Sequence, residues 1–322
     1  GTVTALIKKT PYEITTLRTD DTTDGRHAEI SFTRSYRTDA RRRDFTINAL
    51  YMDKSGKIYD FTDGIRDLKN KRVRFIGSPA KRVQEDYLRI LRFFRFWSNI
   101  SPHAPDEKTL RDCMRNAAGL SSLSWERKTA EFFKILMTKK APRALKIMQE
   151  YRILPFILKE ANIDALAAFL KVSPKSGALE RFSILTAGKI PPDFKLSHAQ
   201  KKHLLALGRR IIIADSDRAN TLTLSETGKE VFDFNLTRAL AEKRITPEKR
   251  RKLSALPLKT FPLKGGDLIR AGFPAGIRVK SLLNQARLIW ADMNFTPNKD
   301  KILKHLIDRS QNDTGTQKRK GK

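Results

Sequence analysis

At residues 82–97 the chain reads Arg-Val-Gln-Glu-Asp-Tyr-Leu-Arg-Ile-Leu-Arg-Phe-Phe-Arg-Phe-Trp, with neither proline nor glycine. Its apolar residues recur at helical spacing, which predicts one continuous helix over 82–98. At about 100° per residue, one arc of about 120° carries the polar residues Arg82, Glu85, Asp86, Arg89 and Arg92. The apolar face is too wide for a surface helix, so we expect this helix and its aromatic residues to be largely buried.

The charges of this helix do not balance within it. A solvated salt-bridge face is the ordinary explanation of such a polar arc. A buried guanidinium group needs an anionic partner, however, and the stretch has one Glu and one Asp for its arginines at 82, 89, 92 and 95. The sequence therefore favours an anion from outside the chain, such as a phosphate or a base edge.

The overall composition also indicates a polyanionic partner. The 322 residues contain 65 Lys and Arg against 35 Asp and Glu, a formal net charge of +30 that is spread along the chain. Solubility alone rarely needs such an excess, so nucleic acid is the favoured partner.

The single cysteine, Cys113, excludes a disulfide framework and a cysteine-based metal site. A reducing compartment fits this usage, and we predict the cytoplasm, with the mitochondrion as the alternative. No apolar run approaches membrane-spanning length, so no membrane partner is expected. Because the chain opens with Gly1 and not Met, we expect its natural N-terminus to lie upstream, where a targeting peptide could stand.

The order of elements predicts an α+β chain that is mostly α. Strands are expected within 1–35, a short helix over 40–48, and a hairpin over 50–61 that turns at Ser55-Gly56. From Pro79 onward, helices are predicted over 82–98, 107–117, 125–137, 142–150, 162–171, 197–213, 236–243, 247–255, 277–291 and 298–308. We divide the chain into 1–75, 76–150, 151–255 and 256–322, the last with a disordered basic terminus over 310–322.

Two further motifs carry candidate chemistry. Arg41-Arg42-Arg43-Asp44 is either a helix-start charge cluster or a nucleotide handle, in which arginines neutralise a triphosphate and the aspartate accepts a ribose hydroxyl. Gly64, within Asp60–Leu68, is either an ordinary turn or a hinge where β structure gives way to helices.

In this order and spacing, the motifs resemble those of the class II CCA-adding enzymes, the tRNA nucleotidyltransferases. The resemblance rests on Arg42-Arg43-Asp44-Phe45-Thr46-Ile47-Asn48-Ala49, Asp60-x-x-x-Gly64-x-x-Asp67-Leu68 and Glu85-Asp86-x-x-Arg89-x-x-Arg92. It continues through Gly1–Thr4, Glu13–Arg18, Asp24-Gly25-Arg26, the neck-like Ser124-x-Glu126-Arg127, and Gly266-Asp267-Leu268 with Gly272 and Gly276. Asp63 departs from the pattern, because the family usually has glycine there.

The resemblance implies a truncated polymerase-β-like nucleotidyltransferase head over 1–75, followed by a helical neck, body and tail. It implies ATP and CTP as substrates, Mg²⁺ as the cofactor and tRNA as the partner, with no protein partner. The implied nucleotide site comprises Arg42, Arg43 and Asp44 for triphosphate and ribose, Asp86 and Arg89 for the base, Glu85 beside them, and Arg92 and Arg95 in support or on phosphate.

Hydrogen-bond polarity gives the base reading a physical basis. A carboxylate such as that of Asp86 accepts from the exocyclic amino group of cytosine or adenine, and a guanidinium such as that of Arg89 donates to the adjacent ring acceptor. Uracil and guanine present a carbonyl at that place, which a carboxylate repels. No RNA template is then needed.

The chemistry that the resemblance implies is attack of a tRNA 3′-hydroxyl on the α-phosphate with release of pyrophosphate, and two Mg²⁺ ions held by carboxylates would activate the hydroxyl and stabilise the leaving oxygens. Members of the family carry an Asp-x-Asp pair on a strand that would stand upstream of Gly1. We therefore expect no main metal ligand in these 322 residues. Glu13 is a candidate third carboxylate, and a surface strand residue is the alternative.

Three alternatives stay open at this point. A bacterial poly(A) polymerase shares the motifs but usually carries a longer basic C-terminal extension. A relative that adds only CC or only A is the second. A non-catalytic RNA-binding remnant is the alternative from a different class.

We predict that the 322 residues alone incorporate no CMP into tRNA that lacks its 3′ end, because the main metal ligands are missing from them. Incorporation of radiolabelled CTP measures this directly. Clear extension of the tRNA by this chain would contradict the prediction.

Overall fold

A computed structural model describes residues 2–23, 28–296 and 298–318 and confirms an α+β chain that is mostly α. The strands are β1 (Thr2–Ile7), β2 (Thr10–Thr15), β3 (Arg18–Thr23), β4 (Ala28–Phe32), β5 (Leu50–Met52) and β6 (Ile58–Asp60). The helices are α1 (Tyr36–Arg42), α2 (Gly64–Lys69), α3 (Pro79–Glu85), α4 (Leu88–Ile100), α5 (Glu107–Arg115), α6 (Trp125–Leu136), α7 (Ala141–Glu150), α8 (Ile163–Val172), α9 (Ala178–Leu185), α10 (His198–Gly208), α11 (Asp217–Thr227), α12 (Lys229–Ala241), α13 (Pro247–Ser254), α14 (Gly265–Arg270), α15 (Arg278–Asp292) and α16 (Lys299–Lys318).

The described strands form antiparallel hairpins, β1 with β2, β3 with β4, and β5 with β6. The predicted hairpin over 50–61 is confirmed, and Tyr51 lies opposite Tyr59 in its register. Gly56 has φ +84°, the left-handed backbone that glycine adopts without steric cost, so the turn falls where the sequence places it.

The prediction of one helix over 82–98 is wrong, because α3 ends at Glu85 and α4 begins at Leu88. Asp86 lies between them in extended backbone, with φ −156° and ψ 105°. Its Oδ1 accepts the backbone N–H of Leu88 at 3.1 Å. An aspartate whose side chain accepts a nearby backbone N–H replaces a helical hydrogen bond and can interrupt a helix. The spacing of apolar residues does not reveal such an interruption.

Other boundaries differ from the predictions as well. The helix expected over 40–48 is α1 followed by a 3-10 turn over Thr46–Asn48. Helix α12 begins seven residues before the predicted 236, and α16 runs to Lys318 through residues predicted to be disordered. The helices that the sequence does not predict are α2, α9, α11 and α14. Helices α2, α9 and α14 have six to eight residues, and packing stabilises such short segments more than their intrinsic propensity does.

Contacts divide the chain into two compact units. The first comprises Gly1–Ala167 and Ser176–Lys201, and the second comprises Ala168–Lys175 and Lys202–Lys322. The finer division of the chain at residues 75, 150 and 255 stays a prediction. Among the described residues, no helix has the length and apolar character that crossing a membrane requires.

An aromatic cluster in the first unit fixes the segment after α1 against α4. The rings of Phe45 and Phe75 lie 4.7 Å apart, and those of Phe75 and Phe93 lie 5.7 Å apart in a stacked arrangement. The backbone of this segment pairs with residues 74–76, since Ile76 N–H donates to the Asp44 carbonyl at 3.1 Å. Asp44 is therefore held next to α4 by backbone pairing and by buried rings together.

The second unit has its own apolar clusters. One packs α14, α15 and α16 around Trp290, with Leu268, Ile289 and Ile302 buried. Another packs α11, α12 and α13 around Phe232, with Leu224 and Leu253 buried. Each cluster is formed by apolar side chains from consecutive helices of the unit.

Helix α2 begins where two segments come into close contact. The Asp60 carboxylate accepts the backbone N–H groups of Gly64 and Ile65 at 3.0 and 2.9 Å, which caps the helix. A Cβ added at Gly64 would stand 2.3 Å from the Thr46 carbonyl oxygen. This close approach explains why the position is glycine, and the hinge stays a prediction.

We predict that Gly64→Ala lowers the free energy of unfolding by about 2 kcal/mol, because the methyl group must displace backbone at Thr46. Gly177→Ala is the matched control, since the added Cβ there would meet only the Glu180 carboxylate at an ordinary 3.7 Å. Urea denaturation followed by circular dichroism compares the two variants. Equal stabilities would contradict the packing argument.

Candidate nucleotide-binding site

A buried carboxylate that sequence reasoning did not single out organises the arginine cluster at the end of α1. Asp39 is fully buried and accepts Arg42 Nε on Oδ1 at 2.8 Å and Arg43 Nη2 on Oδ2 at 3.0 Å. The hydroxyl of Tyr51 donates to Oδ2 at 2.6 Å. The helical spacing of three and four residues between the aspartate and the arginines is the sequence signal for this pairing.

These contacts have a clear electrostatic consequence. Burial alone would raise the pKa of Asp39, but hydrogen bonds from Tyr51, Arg42 and Arg43 outweigh it and lower the pKa to about 2. Burial, followed by the bond to Asp39, raises the pKa of Tyr51 to about 12. The side chain of Arg42 is 16% exposed and that of Arg43 is 39% exposed, so Arg43 is the more accessible cation.

Asp44 is also buried and joins the segment after α1 to α4. Its Oδ1 accepts the backbone N–H of Phe45 at 2.9 Å and the Asn48 amide at 3.2 Å. Its Oδ2 accepts Arg92 Nε at 2.5 Å. The Arg42–Ala49 motif and the Glu85–Arg92 motif are therefore linked through the ion pair of Asp44 with Arg92.

Arg89 brings the same helix against the backbone of the arginine cluster. It donates through Nη2 to the Arg42 carbonyl at 3.2 Å and through Nη1 to the Arg82 carbonyl at 2.9 Å. It also pairs with Glu85, which Arg82 contacts at 2.7 Å. Glu85 therefore orients Arg82 and Arg89, which lie on α3 and α4.

The expectation that the arginines of 82–97 need an anion from outside the chain is corrected by these partners. Arg92 pairs with Asp44, and Arg95 pairs with Glu131 of α6, a carboxylate that is 4% exposed. These acids lie 48 and 36 residues away in sequence, so a count within the stretch could not include them. The excess of arginines over acids within residues 82–97 therefore does not by itself require a bound ligand.

Asp86 occupies the break between α3 and α4, and both of its oxygens accept hydrogen bonds. Besides the Leu88 N–H on Oδ1, Arg127 of α6 donates to Oδ2 through Nη2 at 2.8 Å. The side chains of Asp86 and Arg127 are 32% and 48% exposed, so this pair is open to solvent. The Arg89 side chain bonds to the Arg42 and Arg82 carbonyls and to Glu85, so it makes no ion pair with Asp86 in this structure.

The candidate metal ligand lies apart from this cluster. Glu13 is exposed on β2, opposite Thr4 in the register of the β1–β2 hairpin. Among residues 2–23, 28–296 and 298–318, no group of three or more His, Cys, Asp or Glu is suited to hold a metal. Residues 24–27, which include the matched Asp24-Gly25-Arg26, lie outside the described part of the chain.

The backbone conformation at Asp63 shows how an aspartate fits where the family usually has glycine. It precedes α2 with φ +63° and ψ +27°, a left-handed backbone that glycine favours and that Asp tolerates better than most residues. Its carboxylate lies 3.5 Å from Arg74. Position 63 therefore has a left-handed backbone conformation, and the aspartate found there also forms an ion pair with Arg74.

Comparisons with known proteins identify the class and the family of this chain. Residues 1–74 match a family model described as the poly A polymerase head domain. Residues 104–164 match one described as a probable RNA and SrmB-binding site of polymerase A. The class is therefore a nucleotidyltransferase, with the predicted polymerase-β-like head followed by helices.

The chain is 34% identical to the mitochondrial CCA tRNA nucleotidyltransferase 1 of Homo sapiens, over 95% of this chain and 74% of the relative. It is 29% identical to the CCA-adding enzyme of Bacillus licheniformis, over 84% and 72%. The crystal structure of the Bacillus stearothermophilus CCA-adding enzyme in complex with CTP superimposes with a TM-score of 0.77 at 27% identity, over 98% of this chain and 83% of that one. The chain belongs to the CCA tRNA nucleotidyltransferase family.

We predict that Asp39→Asn lowers the free energy of unfolding at pH 7 by about 2 kcal/mol, because Arg42 and Arg43 lose a charged acceptor. The pKa of Asp39 is depressed, so its stabilising effect is present above about pH 4 and is lost as the pH falls towards 2. The difference between the wild-type chain and the variant should shrink over that interval.

Denaturant unfolding from pH 7 to pH 2 measures this difference. Asp215→Asn is the control, because its ion pair with Lys249 is exposed and should contribute little. A wild-type advantage that is absent at pH 7, or that grows on acidification, would contradict the prediction.

Proposed function

We propose that this chain binds CTP and ATP and contributes the nucleotide-selecting and tRNA-binding parts of an enzyme that adds CCA to tRNA without a template. The observation that carries the proposal is the break at Asp86, which presents a carboxylate beside a guanidinium. The guanidinium is that of Arg89, which donates to the Arg42 carbonyl where α4 meets the Arg42–Asp44 segment, and Asp86 lies two residues before α4 begins. The names of the relatives and the CTP complex of a structural neighbour support it.

Base selection is proposed to depend on Asp86 and Arg89. Each carboxylate oxygen can accept two hydrogen bonds, and Oδ2 of Asp86 has one donor, Arg127, within the described part of the chain. One acceptor position on Oδ2 then suits the exocyclic amino group of cytosine or adenine. Arg89 would donate to the ring acceptor beside it. A uracil or guanine carbonyl at the same place would face the carboxylate and be repelled.

Triphosphate and ribose binding is proposed for the segment beside α4. Arg43 is accessible, and Asp39 holds it in place, so its guanidinium loses little freedom when it binds phosphate. Asp44 has one acceptor position on Oδ2 beside Arg92 for a ribose hydroxyl. Arg92 is 35% exposed, and its charge is shared with Asp44, so we assign it to orienting that carboxylate.

The remaining partners follow from charge and resemblance. The net charge of +30 supports tRNA as the polyanionic partner. Mg²⁺ is proposed from the resemblance to the family, with Glu13 as a third carboxylate at most. The vertebrate relatives named as mitochondrial favour the mitochondrion over the predicted cytoplasm.

Poly(A) addition is the second candidate, because the matched family models carry polymerase A names. The curated relatives and structural neighbours that carry CCA names favour CCA addition. An enzyme form that includes the Asp-x-Asp strand of the family, incubated with tRNA that lacks its 3′ end and with ATP alone, CTP alone or both, separates the candidates. A long adenosine tail indicates poly(A) polymerase, and a requirement for CTP before a single A indicates CCA addition. CC-only or A-only products would indicate the narrower relatives.

We predict that Asp86→Ala and Arg89→Ala each reduce the preference for CTP over UTP by about 10- to 100-fold, the scale of 1–3 kcal/mol for lost base-edge bonds. The measurement is kcat/KM for each nucleotide, with an enzyme form that includes the Asp-x-Asp strand of the family. Arg111→Ala, which removes an exposed ion pair with Glu107 on α5, is the control. A preference that survives both site substitutions would overturn the proposed base reading.

A further inference from the structure

A cavity of about 680 Å³ lies in the first unit, and none of its lining residues belongs to the proposed nucleotide site. It is bounded by the start of α6, by the segment that joins α7 to α8, and by the segment that follows α9. Its volume lies within the range of small-molecule sites, about 300–1,000 Å³. The side chains that line it are mostly apolar and include Trp125, Phe156, Ile157, Ile190, Pro191 and Pro192.

Contacts behind the lining hold the wall formed by the segment after α9. Phe194, which is 2% exposed, packs its ring 5.6 Å from that of Trp125 and 4.8 Å from that of Phe182. The Lys195 N–H donates to the Thr129 hydroxyl of α6 at 3.2 Å. Buried rings and a hydrogen bond therefore join this wall to α6, and the cavity is formed without a ligand.

Lys128 of α6 also lines the cavity, and it is only 2% exposed. Its ammonium nitrogen lies 3.7 Å from the centre of the Trp125 ring, a cation–π contact. Among the residues that the structure describes, this ammonium group donates no hydrogen bond and forms no ion pair. Burial lowers the pKa of Lys128, and the Asp193 carboxylate offsets this effect only in part. A buried cation without an acceptor is costly, so an anion in the cavity would stabilise it.

The other charged side chains that line the cavity are exposed and balance one another. Lys189 and Glu160 pair at 3.3 Å, and their side chains are 76% and 84% exposed. Lys159 and Asp193 are exposed as well. Lys128 is therefore the buried cation that a ligand would meet, and one such cation suits a ligand with one anionic group.

We propose that this cavity binds a small molecule that carries one carboxylate on an apolar body. The carboxylate would accept a hydrogen bond from the Lys128 ammonium group, which then gains the acceptor it lacks. The body would lie against Ile157 and Pro191, where it loses contact with water. The proposal does not depend on the nucleotide site, so either can fail without the other.

Isothermal titration calorimetry of the 322-residue chain tests the proposal with naphthoate and with naphthamide, its neutral amide of the same shape. Naphthoate should bind with a Kd lower by about tenfold or more, because only the anion pairs with Lys128. Acetate, which lacks an apolar body, should not bind at the same concentrations. Decanoate has an aliphatic body, and the tighter of the two large carboxylates identifies the kind of body that the cavity accepts.

Two lysine variants assign the binding to this cavity. Lys128→Met keeps an unbranched apolar side chain but removes the donor, so naphthoate should bind about tenfold more weakly and naphthamide as before. Lys139→Met is the matched control, since Lys139 is an exposed lysine shortly after α6 and does not line the cavity. It should leave both affinities unchanged. Melting temperatures of both variants, followed by circular dichroism, accompany the titrations.

Several results would overturn the proposal. These are failure of both large carboxylates to bind the wild-type chain, equal affinities for naphthoate and naphthamide, and naphthoate binding that survives Lys128→Met. A lower melting temperature of Lys128→Met with unchanged naphthoate affinity would show that the lysine only supports the fold through Trp125. The comparison of naphthoate with naphthamide uses the wild-type chain, so it decides the matter even where the variant does not fold.

Discussion

The structure of the candidate site depends on one constraint, the interruption of a helical stretch at Asp86. If α3 and α4 were continuous, the Asp86 side chain would follow helical geometry, and its Oδ1 could not accept the Leu88 N–H. The break leaves a carboxylate exposed between two helices that are otherwise well packed. A polar group in this setting can meet a ligand edge, whereas the same group within the helix would face its own neighbours.

The break is tolerated because ion pairs across elements hold both sides of it. Glu85 pairs with Arg82 of α3 and with Arg89 of α4, and both arginines donate to backbone carbonyls of the arginine cluster at residues 41 and 42. Farther along α4, Arg92 and Arg95 bind Asp44 and Glu131. Removing one member of such a pair leaves a partly buried charge without its partner, which is costly. The arginines are therefore structural in this state, and only part of their donor capacity remains for a nucleotide.

The sequence predicts the fold class and the clustering of the nucleotide motifs, and it fails at particular residues for physical reasons. The hairpin turn falls at Gly56 as the sequence predicts, because the turn signal is local. Ser124 accepts the Arg127 N–H and caps α6 by an equally local contact. The break at Asp86 is also a local feature, but the sequence does not predict it. An aspartate that hydrogen-bonds to the backbone is as polar as one on a solvated helical face, so the polar pattern does not tell the two apart. The partners Glu131 and Arg127 depend on tertiary contacts, which spacing along the chain does not encode. Asp39 lies three and four residues before Arg42 and Arg43, a spacing that is visible in the sequence. Its burial, which makes it the acceptor that orders both arginines, is visible only in the structure.

The most direct test of the central claim is a crystal structure of this chain with CTP. The account predicts that cytosine N4 lies within about 3.2 Å of an Asp86 oxygen, with the Arg127 pair retained and the triphosphate beside Arg43. A cytosine bound away from Asp86, with both carboxylate oxygens still occupied only by Leu88 and Arg127, would contradict it.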